Sequence, residues 1–215
     1  PVEGFEWAAN QREMSVKEDL TYFISPKLTM QFGYQGIYRR FTPGDITPQG
    51  EQSIFETTTL QKQFALDHGL YLGFDHDVTD RLSLQYGVRY SIFQNIGKGT
   101  VYDYADPDDN INIEIIDSTT YGSFENIKTF HNLEPRFAAR YTLDAQSSLK
   151  FSYNRMVQYI HLISNSTVPI PFNTWAPSSP YLDPQLADQV AVGYFRNFYN
   201  NTYEFSVETY YKQSR

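Results

Sequence analysis

The chain has 215 residues, of which 17% are aromatic, and its formal net charge is -8. This acidic balance excludes nucleic-acid binding, because no basic stripe is available to neutralise phosphates, and the absence of cysteine excludes disulfides and thiol chemistry. No run approaches the roughly 18 apolar residues of a transmembrane helix, but the low mean hydropathy of -0.51 is compatible with a membrane β-barrel, whose strands alternate lipid-facing and lumen-facing residues.

Alternation of apolar and polar residues predicts eight strands. In chain order they cover 19–25, 28–41, 60–78, 81–94, 130–143, 148–159, 189–198 and 202–212. The fourth contains the sequence RLSLQYGVRYSI, with Leu84 and Val88 on one face and Ser83 and Gln85 on the other. Most of these strands have about 10 residues, which is the length that a tilted strand needs to cross a bilayer, whereas strands of soluble proteins more often have about 5 to 6.

The predicted connections alternate between short and long. Short turns follow the first, third, fifth and seventh strands, and long loops near 42–59, 95–129 and 160–188 follow the others. All short turns therefore lie at one end of the sheet, as the periplasmic turns of outer-membrane barrels do, and the long loops are extracellular. The pattern predicts an all-β, antiparallel, up-and-down transmembrane β-barrel in the cell outer membrane.

Aromatic residues cluster near the predicted strand ends, which suggests two girdles at the membrane interfaces. The general preference of aromatic residues for strands is the alternative explanation. The residues concerned are Tyr22, Tyr38, Phe41, Tyr90, Phe93, Tyr141, Tyr159, Phe198, Tyr203, Tyr210 and Tyr211.

Two side chains conflict with a lipid-facing position. His68 and Arg155 fall on the apolar face of their strands, and arginine at mid-depth would cost about 2 to 4 kcal/mol. A β-bulge near Asn154, a position near the interface and a wrong strand boundary remain as alternatives.

Several stretches resemble TonB-dependent outer-membrane receptors of the Bacteroidetes type. These are NLEPRFAARYTLDAQSSLKFSYNRMVQYIHLISNST at 132–167, PFNTWAPSSPYLDPQLADQVAVGYFRNF at 171–198, YEFSVETYYK at 203–212 and LTYFISPKLTMQFGYQGIYRRFTPGDI at 20–46. The resemblance implies a 22-stranded barrel that encloses a plug domain. With about eight strands, no plug and a final KQSR, the chain looks like an internal portion of such a barrel.

The resemblance also implies partners. These are the plug domain of the same full-length receptor, the inner-membrane TonB complex acting through that plug, outer-membrane lipid and a nutrient ligand, with a surface lipoprotein as a further candidate. No cofactor and no enzymatic activity are expected. His161, Ser164 and Ser166 lack the nucleophile elbow and the orienting acid of an outer-membrane lipase.

The polar face of the strands carries charges that, by the resemblance, face the plug; a solvated wall is the alternative. The predicted plug-facing residues are Arg89, Glu134, Arg136, Arg140, Lys150, Glu204 and Glu208, and Asp67 and Asp75 lie on the same face.

Two long loops carry candidate ligand-binding residues. The acidic stretch at 101–117 contains Asp106, Asp108 and Asp109. It lacks the spacing and the glycine of an EF-hand loop, so a solvated loop is favoured over a Ca²⁺ site. The proline-rich stretch at 167–184 carries Phe172, Trp175 and Tyr181, and its prolines would hold these rings rigidly.

These features favour a portion of a TonB-dependent active transporter that takes up a siderophore, cobalamin, an oligosaccharide or a peptide. Two alternatives remain: a self-contained eight-stranded barrel serving as an adhesin or structural protein, and a soluble extracellular glycan-binding β-protein.

Overall fold

The structure is a computed structural model that describes residues 5–48, 58–105, 114–164 and 173–215. These residues form strands and no helix. The strands are β1 (Phe5–Ser25), β2 (Leu28–Pro48), β3 (Thr58–Thr59), β4 (Gln63–Asp77), β5 (Leu82–Ile96), β6 (Gly99–Tyr104), β7 (Ile115–Tyr121), β8 (Asn126–Asp144), β9 (Ser147–Gln158), β10 (Ile160–Ser164), β11 (Asn173–Pro177), β12 (Gln185–Phe198) and β13 (Tyr203–Ser214).

Eight of these strands form one antiparallel meander. Their order in the sheet is β1-β2-β4-β5-β8-β9-β12-β13, so each long strand pairs with the next long strand along the chain. The connection from β1 to β2 has two residues, Pro26 and Lys27, and those from β4 to β5, β8 to β9 and β12 to β13 are also short. We refer to the edge with these turns as the turn end and to the opposite edge as the loop end.

The strands extend further toward the loop end than the sequence predicted. β1 begins at Phe5 rather than near residue 19, β2 continues to Pro48, and the long connections contain the hairpins β6–β7 and β10–β11. Residues 10–19, NQREMSVKED, have Met14 and Val16 as their only apolar side chains, too few to show a period of two. A strand that extends into water has no apolar face to bury, so alternation does not reveal it.

The pairing register separates an apolar face from a polar face. Met30, Phe74, Tyr86, Phe137 and Tyr153 lie opposite one another on successive strands. One residue further along each strand, the aligned positions carry small or polar residues. These are Gln31, Gly73, Gly87, Arg136 and Asn154.

The polar face is the concave side of the sheet. Two hollows of about 520 and 640 Å³ lie over it, and their lining includes Asp75, Gln85, Arg136, Arg140 and Lys150. Among the described strands, β1 and β13 stand at the two ends of the order and do not pair with each other. The eight strands are thus an open, curved sheet, as expected for part of a larger barrel, and do not form the closed eight-stranded barrel of the alternative.

A small aromatic core lies on the concave face at the loop end. Phe41, Ala65, Phe93 and Tyr159 are buried against one another. The assignment of Phe41, Phe93 and Tyr159 to a lipid-facing girdle was therefore wrong. Phe41 and Phe93 have the alternation of the concave face, and Tyr159 follows Gln158, where β9 ends, so that the chain can turn and bring its ring onto the same face. Tyr210 was also misassigned, since it lies opposite Ala191 on the polar face.

Arg155 lies on the apolar, convex face without a bulge. The β9–β12 register is continuous and places Arg155 directly opposite Asp188. The guanidinium donates hydrogen bonds of 2.7 and 3.0 Å to the two Asp188 carboxylate oxygens, and the Tyr153 hydroxyl donates a third of 2.9 Å. Arg155 is eight residues beyond Ser147, about 20 Å from the turn end for a strand tilted by 35–45°. An ion pair near the loop-end boundary therefore resolves the conflict.

Two histidines on the convex face have tyrosine partners. Tyr34 Oη lies 2.7 Å from His68 Nδ1, and Tyr90 Oη lies 2.8 Å from His131 Nδ1. The register places both tyrosines at one level and both histidines at the next. We call this set the Tyr-His row. Within the described ranges, no helix is long and apolar enough to cross a bilayer.

Candidate functional site: the concave face and its loop-end mouth

The most enclosed charges of the concave face lie at the loop end. Arg39 Nε lies 2.8 Å from Glu13 Oε2, and Arg39 Nη1 lies 2.9 Å from Asp67 Oδ2. The Arg39 and Asp67 side chains are only 10% and 13% exposed. The register explains the contacts, since Glu13 is directly opposite Arg39 and Asp67 is opposite the nearby Ile37. Sequence reasoning placed Asp67 on this face but missed Arg39 and Glu13, although the parity of the second strand already put Arg39 there.

A second group of charges lies at mid-depth. Arg89 Nε is 3.7 Å from Glu134 Oε1, and Arg89 Nη1 donates to Gln35 Oε1 over 3.2 Å. Gly69 leaves room for this guanidinium, because a Cβ there would lie 2.2 Å from Arg89 Nη2. Arg89 and Glu134, both predicted to face the lumen, are therefore brought together by the fold.

Beside this pair, Arg136 is exposed on the concave face. No acidic partner for it is present in the part of the chain that the structure describes. Tyr71 is hydrogen-bonded to Asp19, whose carboxylate also lies 2.7 Å from Lys17 Nζ.

The third group lies near the turn end. Arg140 on β8 is directly opposite Lys150 on β9. Gly193 on β12 is opposite both Lys150 and Glu208, so it lies between these two residues in the sheet. Like charges facing each other repel, and Lys150 Nζ instead lies 3.9 Å from the centroid of the Phe195 ring. Glu204 shares the concave parity but is exposed beside the turn. All seven predicted plug-facing residues thus lie on one face but do not form one cluster.

The connection between β9 and β12 folds inward over the loop end of this face. Tyr159 stacks on Phe93, with ring centroids 4.6 Å apart and planes 3° apart. Its hydroxyl oxygen lies 2.7 Å from Ser91 Oγ and accepts a 2.9 Å hydrogen bond from Asn132 Nδ2. Further along, Thr174 Oγ1 donates to the Pro43 carbonyl over 2.9 Å. These contacts hold β10 and β11 across the mouth, from β9 to the far end of β2.

The hairpin exposes apolar side chains. Trp175 lies on β11 directly opposite Leu162 on β10, and each is 48% exposed. On the same hairpin, His161 Nε2 is 3.1 Å from Ser178 Oγ, and burial lowers the pKa of His161. Trp175 is thus the predicted ligand-binding residue that the structure places on the mouth itself.

Tyr181 joins two loops. Its hydroxyl accepts a 2.7 Å hydrogen bond from the Tyr102 amide and donates a 2.6 Å hydrogen bond to the Tyr102 carbonyl, while burial raises the pKa of Tyr181. The other predicted loop residues, Phe172, Asp106, Asp108 and Asp109, lie outside the described residues, as does Ser166. Among the residues that are described, no group of three or more His, Asp or Glu side chains could hold a metal ion.

The family described as "TonB dependent receptor-like, beta-barrel" matches residues 6–215 of the sequence. The chain belongs to this family. Two solved structures share its fold, the FrpB iron transporter from Neisseria meningitidis in its F5-1 and F3-3 variants, each with a TM-score of 0.56. Sequence identity is 12% and 14%, and the alignments cover 94% and 96% of this chain. A comparison with curated proteins gave no match.

The chain spans 28% of the length of each FrpB structure. Membership of the TonB-dependent receptor barrel family confirms the all-β barrel prediction and indicates the barrel of an outer-membrane receptor. The convex face of the sheet therefore meets lipid, and the concave face lines the lumen of the receptor.

Substituting Phe for Tyr159 tests the attachment of the hairpin. The ring still stacks on Phe93, but Ser91 and Asn132 lose their shared partner, and a buried unpaired polar group costs about 1 to 3 kcal/mol. Amide hydrogen exchange over 159–164 in the full-length receptor should therefore quicken by about 5-fold to 100-fold. Tyr181→Phe is the control, because the Tyr181 hydroxyl contacts the backbone of Tyr102 on β6 and not Ser91 or Asn132. Equal protection in the Tyr159→Phe variant and the parent would show that these hydrogen bonds do not hold the hairpin.

Proposed function

We propose that the chain is part of the barrel wall of a TonB-dependent active transporter, of the Bacteroidetes type, that takes up a scarce nutrient through the outer membrane. The observation that carries the proposal is the charged concave face closed at its mouth by an inward-folded hairpin. A pathway for a polar ligand needs such a wall, whereas a purely structural barrel needs only a packed interior.

The lumenal charges suit a removable polar partner, which we identify as the plug domain of the same full-length receptor. Arg39 satisfies its charge within the wall, since it contacts both Glu13 and Asp67. Arg136, by contrast, is exposed at mid-depth and has no acidic partner among the described residues. Carboxylates or carbonyls of a plug would pair with it, and the inner-membrane TonB complex would act through that plug.

The ligand would meet the loop end first. Trp175 and Leu162 present apolar surface beside a polar mouth, and an amphipathic ligand needs both kinds of contact. Siderophore, cobalamin, oligosaccharide and peptide ligands all meet this description. Phe172 and the three aspartates at 106, 108 and 109, which lie outside the described residues, are proposed as further ligand-binding residues, and a surface lipoprotein is proposed as a partner.

Growth on each nutrient class as the limiting nutrient tests the transport proposal. We expect deletion of the gene for the full-length receptor to abolish growth on one of these nutrients, and we expect deletion of TonB to have the same effect. Growth that is unchanged on all four classes, or uptake that persists without TonB, would refute active transport by this receptor.

Replacing Trp175 with Ala tests ligand capture at the mouth. Aromatic anchors at the centre of an interface commonly contribute 2 kcal/mol or more, so we expect the uptake affinity to fall at least tenfold. Deleting 172–181 should abolish uptake. Both variants should keep the shifted electrophoretic mobility of an assembled barrel, as should the control Tyr199→Ala at the turn end, where Tyr199 is 79% exposed. Unaltered uptake in both variants would remove this loop from the ligand site.

A further inference from the structure

The convex face carries two arginines that repel each other. Arg12 on β1 lies directly opposite Arg40 on β2, and directly opposed side chains have Cβ atoms about 4.5 to 5.5 Å apart. Like charges at that distance destabilise a sheet. In the part of the chain that is described, neither arginine has an acidic partner, and Arg40 Nε is buried without a hydrogen-bond acceptor. The pair therefore lacks an anion.

The depth of this pair can be derived from the strand geometry. Arg40 is twelve residues beyond Leu28, the first residue of β2. At about 3.3 Å per residue and a tilt of 35–45°, Arg40 lies about 30 Å from the turn end. The apolar band of an outer-membrane barrel is about 25 Å tall. Arg40 is therefore about 5 Å outside the hydrocarbon, at the level of lipid headgroups.

The Tyr-His row independently indicates where the hydrocarbon ends, and Arg40 lies beyond that row toward the loop end. His68 is nine residues before Asp77, where β4 ends, and so lies about 23 Å from the turn end. Rings that pair an apolar body with a polar tip favour the boundary between hydrocarbon and headgroups. Arg40 lies four residues further toward the loop end than Gly36, which is opposite His68.

A groove beside the arginine pair adds two more cations. Its volume is about 720 Å³, its apolar lining includes Leu60, Phe64 and Tyr121, and Lys62 and Lys98 also line it. Phe64 is directly opposite Arg40, which makes the groove continuous with the pair. We call Arg12, Arg40, Lys62 and Lys98 the basic patch.

Acidic residues on the neighbouring strands and loops include Asp45, Glu18 and Glu125. Asp45 is directly opposite Thr59, which lines the groove, and its Oδ1 is buried without a hydrogen-bond partner. Glu18 is six residues from Arg12 along β1, and the Glu125 carboxylate accepts a hydrogen bond from the Gly122 amide.

We propose that the basic patch binds the phosphate-bearing headgroup of a lipid in the outer leaflet, an inference that rests on the proposed outer-membrane function. Guanidinium groups suit phosphate because their donors match its geometry, and a phosphate between Arg12 and Arg40 would turn their repulsion into attraction. Phe64 and Leu60 would contact the apolar part of the same lipid. The site faces lipid and is separate from the nutrient pathway on the concave face.

The test uses the full-length receptor in a non-ionic detergent, titrated with a glycolipid that carries two phosphates and followed by native mass spectrometry. Each cation near a charged membrane surface contributes roughly a factor of five in affinity. The double variant Arg12→Gln/Arg40→Gln should therefore bind about 30-fold more weakly, whereas Arg12→Lys/Arg40→Lys should stay within about fivefold of the parent. Lys27→Gln/Arg81→Gln, the same charge change at the turn end, should bind like the parent.

Three results would overturn the inference. These are unchanged binding by the Gln double variant, equal binding of the glycolipid after its phosphates are removed, and complete competition by millimolar inorganic phosphate, which would indicate a site for free phosphate. Membrane fractionation and TonB-dependent uptake are measured on the same strains. A receptor that reaches the outer membrane and transports normally, yet shows one of these results, refutes the lipid site alone, whereas a receptor absent from the outer membrane refutes the proposed function.

Discussion

Replacing Arg39 with Met is expected to destabilise the folded receptor by about 3 to 5 kcal/mol, because it leaves a buried carboxylate without its cation. The Asp67 side chain is 13% exposed, and its contact with Arg39 Nη1 at 2.9 Å is its ion pair in the structure. The free energy of unfolding would be measured for the full-length receptor by urea titration in detergent micelles, with the loss of barrel structure followed by electrophoretic mobility.

Two further variants separate lost charge pairing from lost packing. In Arg39→Met/Asp67→Asn, no charge is stranded at position 67, so we expect the double variant to recover much of the stability that the single variant loses. Lys17→Met removes a cation from an exposed pair with Asp19 and should unfold like the parent. If Arg39→Met also unfolded like the parent, the charges at the mouth would be hydrated and not part of a buried network.

Replacing Val88 with Arg is expected to cost about 2 to 4 kcal/mol, because Val88 lies on the convex face near mid-depth. It is six residues beyond Leu82, where β5 begins, and it is opposite Leu72 and Pro135. Leu84→Arg should cost less, because Leu84 is only two residues from the start of β5 and the cost of a charge falls toward the interface. The same urea titration measures both variants.

The matched control places the same arginine on the other face. Gln85 is opposite Asp75 on the polar face, so Gln85→Arg should be close to neutral or gain a partner, and Ser83→Arg should behave likewise. Equal losses on the two faces would contradict the assignment of the convex face to lipid. An equal loss of stability in Leu84→Arg and Val88→Arg would contradict the depths calculated from strand geometry, and the depth of Arg40 was calculated in the same way.

The alternation of residues predicted eight long strands, and the structure contains eight long strands that pair in chain order. In β5, for example, each apolar side chain must meet lipid and each polar one the lumen, so the pattern is imposed by the surroundings on both sides. Outside the bilayer this constraint disappears, and residues 5–18 of β1 and the hairpins β6–β7 and β10–β11 were not recognised. The structure has short connections after β1, β4, β8 and β12, where the alternation predicted short turns.

The candidate site was predicted less completely. The alternation of residues placed Arg89 and Glu134 on one face. Their distance of 3.7 Å depends on the register between β5 and β8, which the pattern within one strand does not show. Tyr159 was assigned to the lipid interface because an aromatic residue at a strand end fits a girdle. Its true partners, Ser91 and Asn132, are 68 and 27 residues away along the chain.

Local patterns of residues were enough to predict the class of fold, the receptor family, the two faces of each strand and the alternation of short turns with long loops. Three features came from the folded structure: the eight strands form an open sheet, the connection after β9 folds over the concave face, and Asp188 neutralises Arg155 so that no bulge is needed. These features depend on contacts between residues far apart in the chain, and such contacts are set by register and curvature, not by the identity of neighbouring residues.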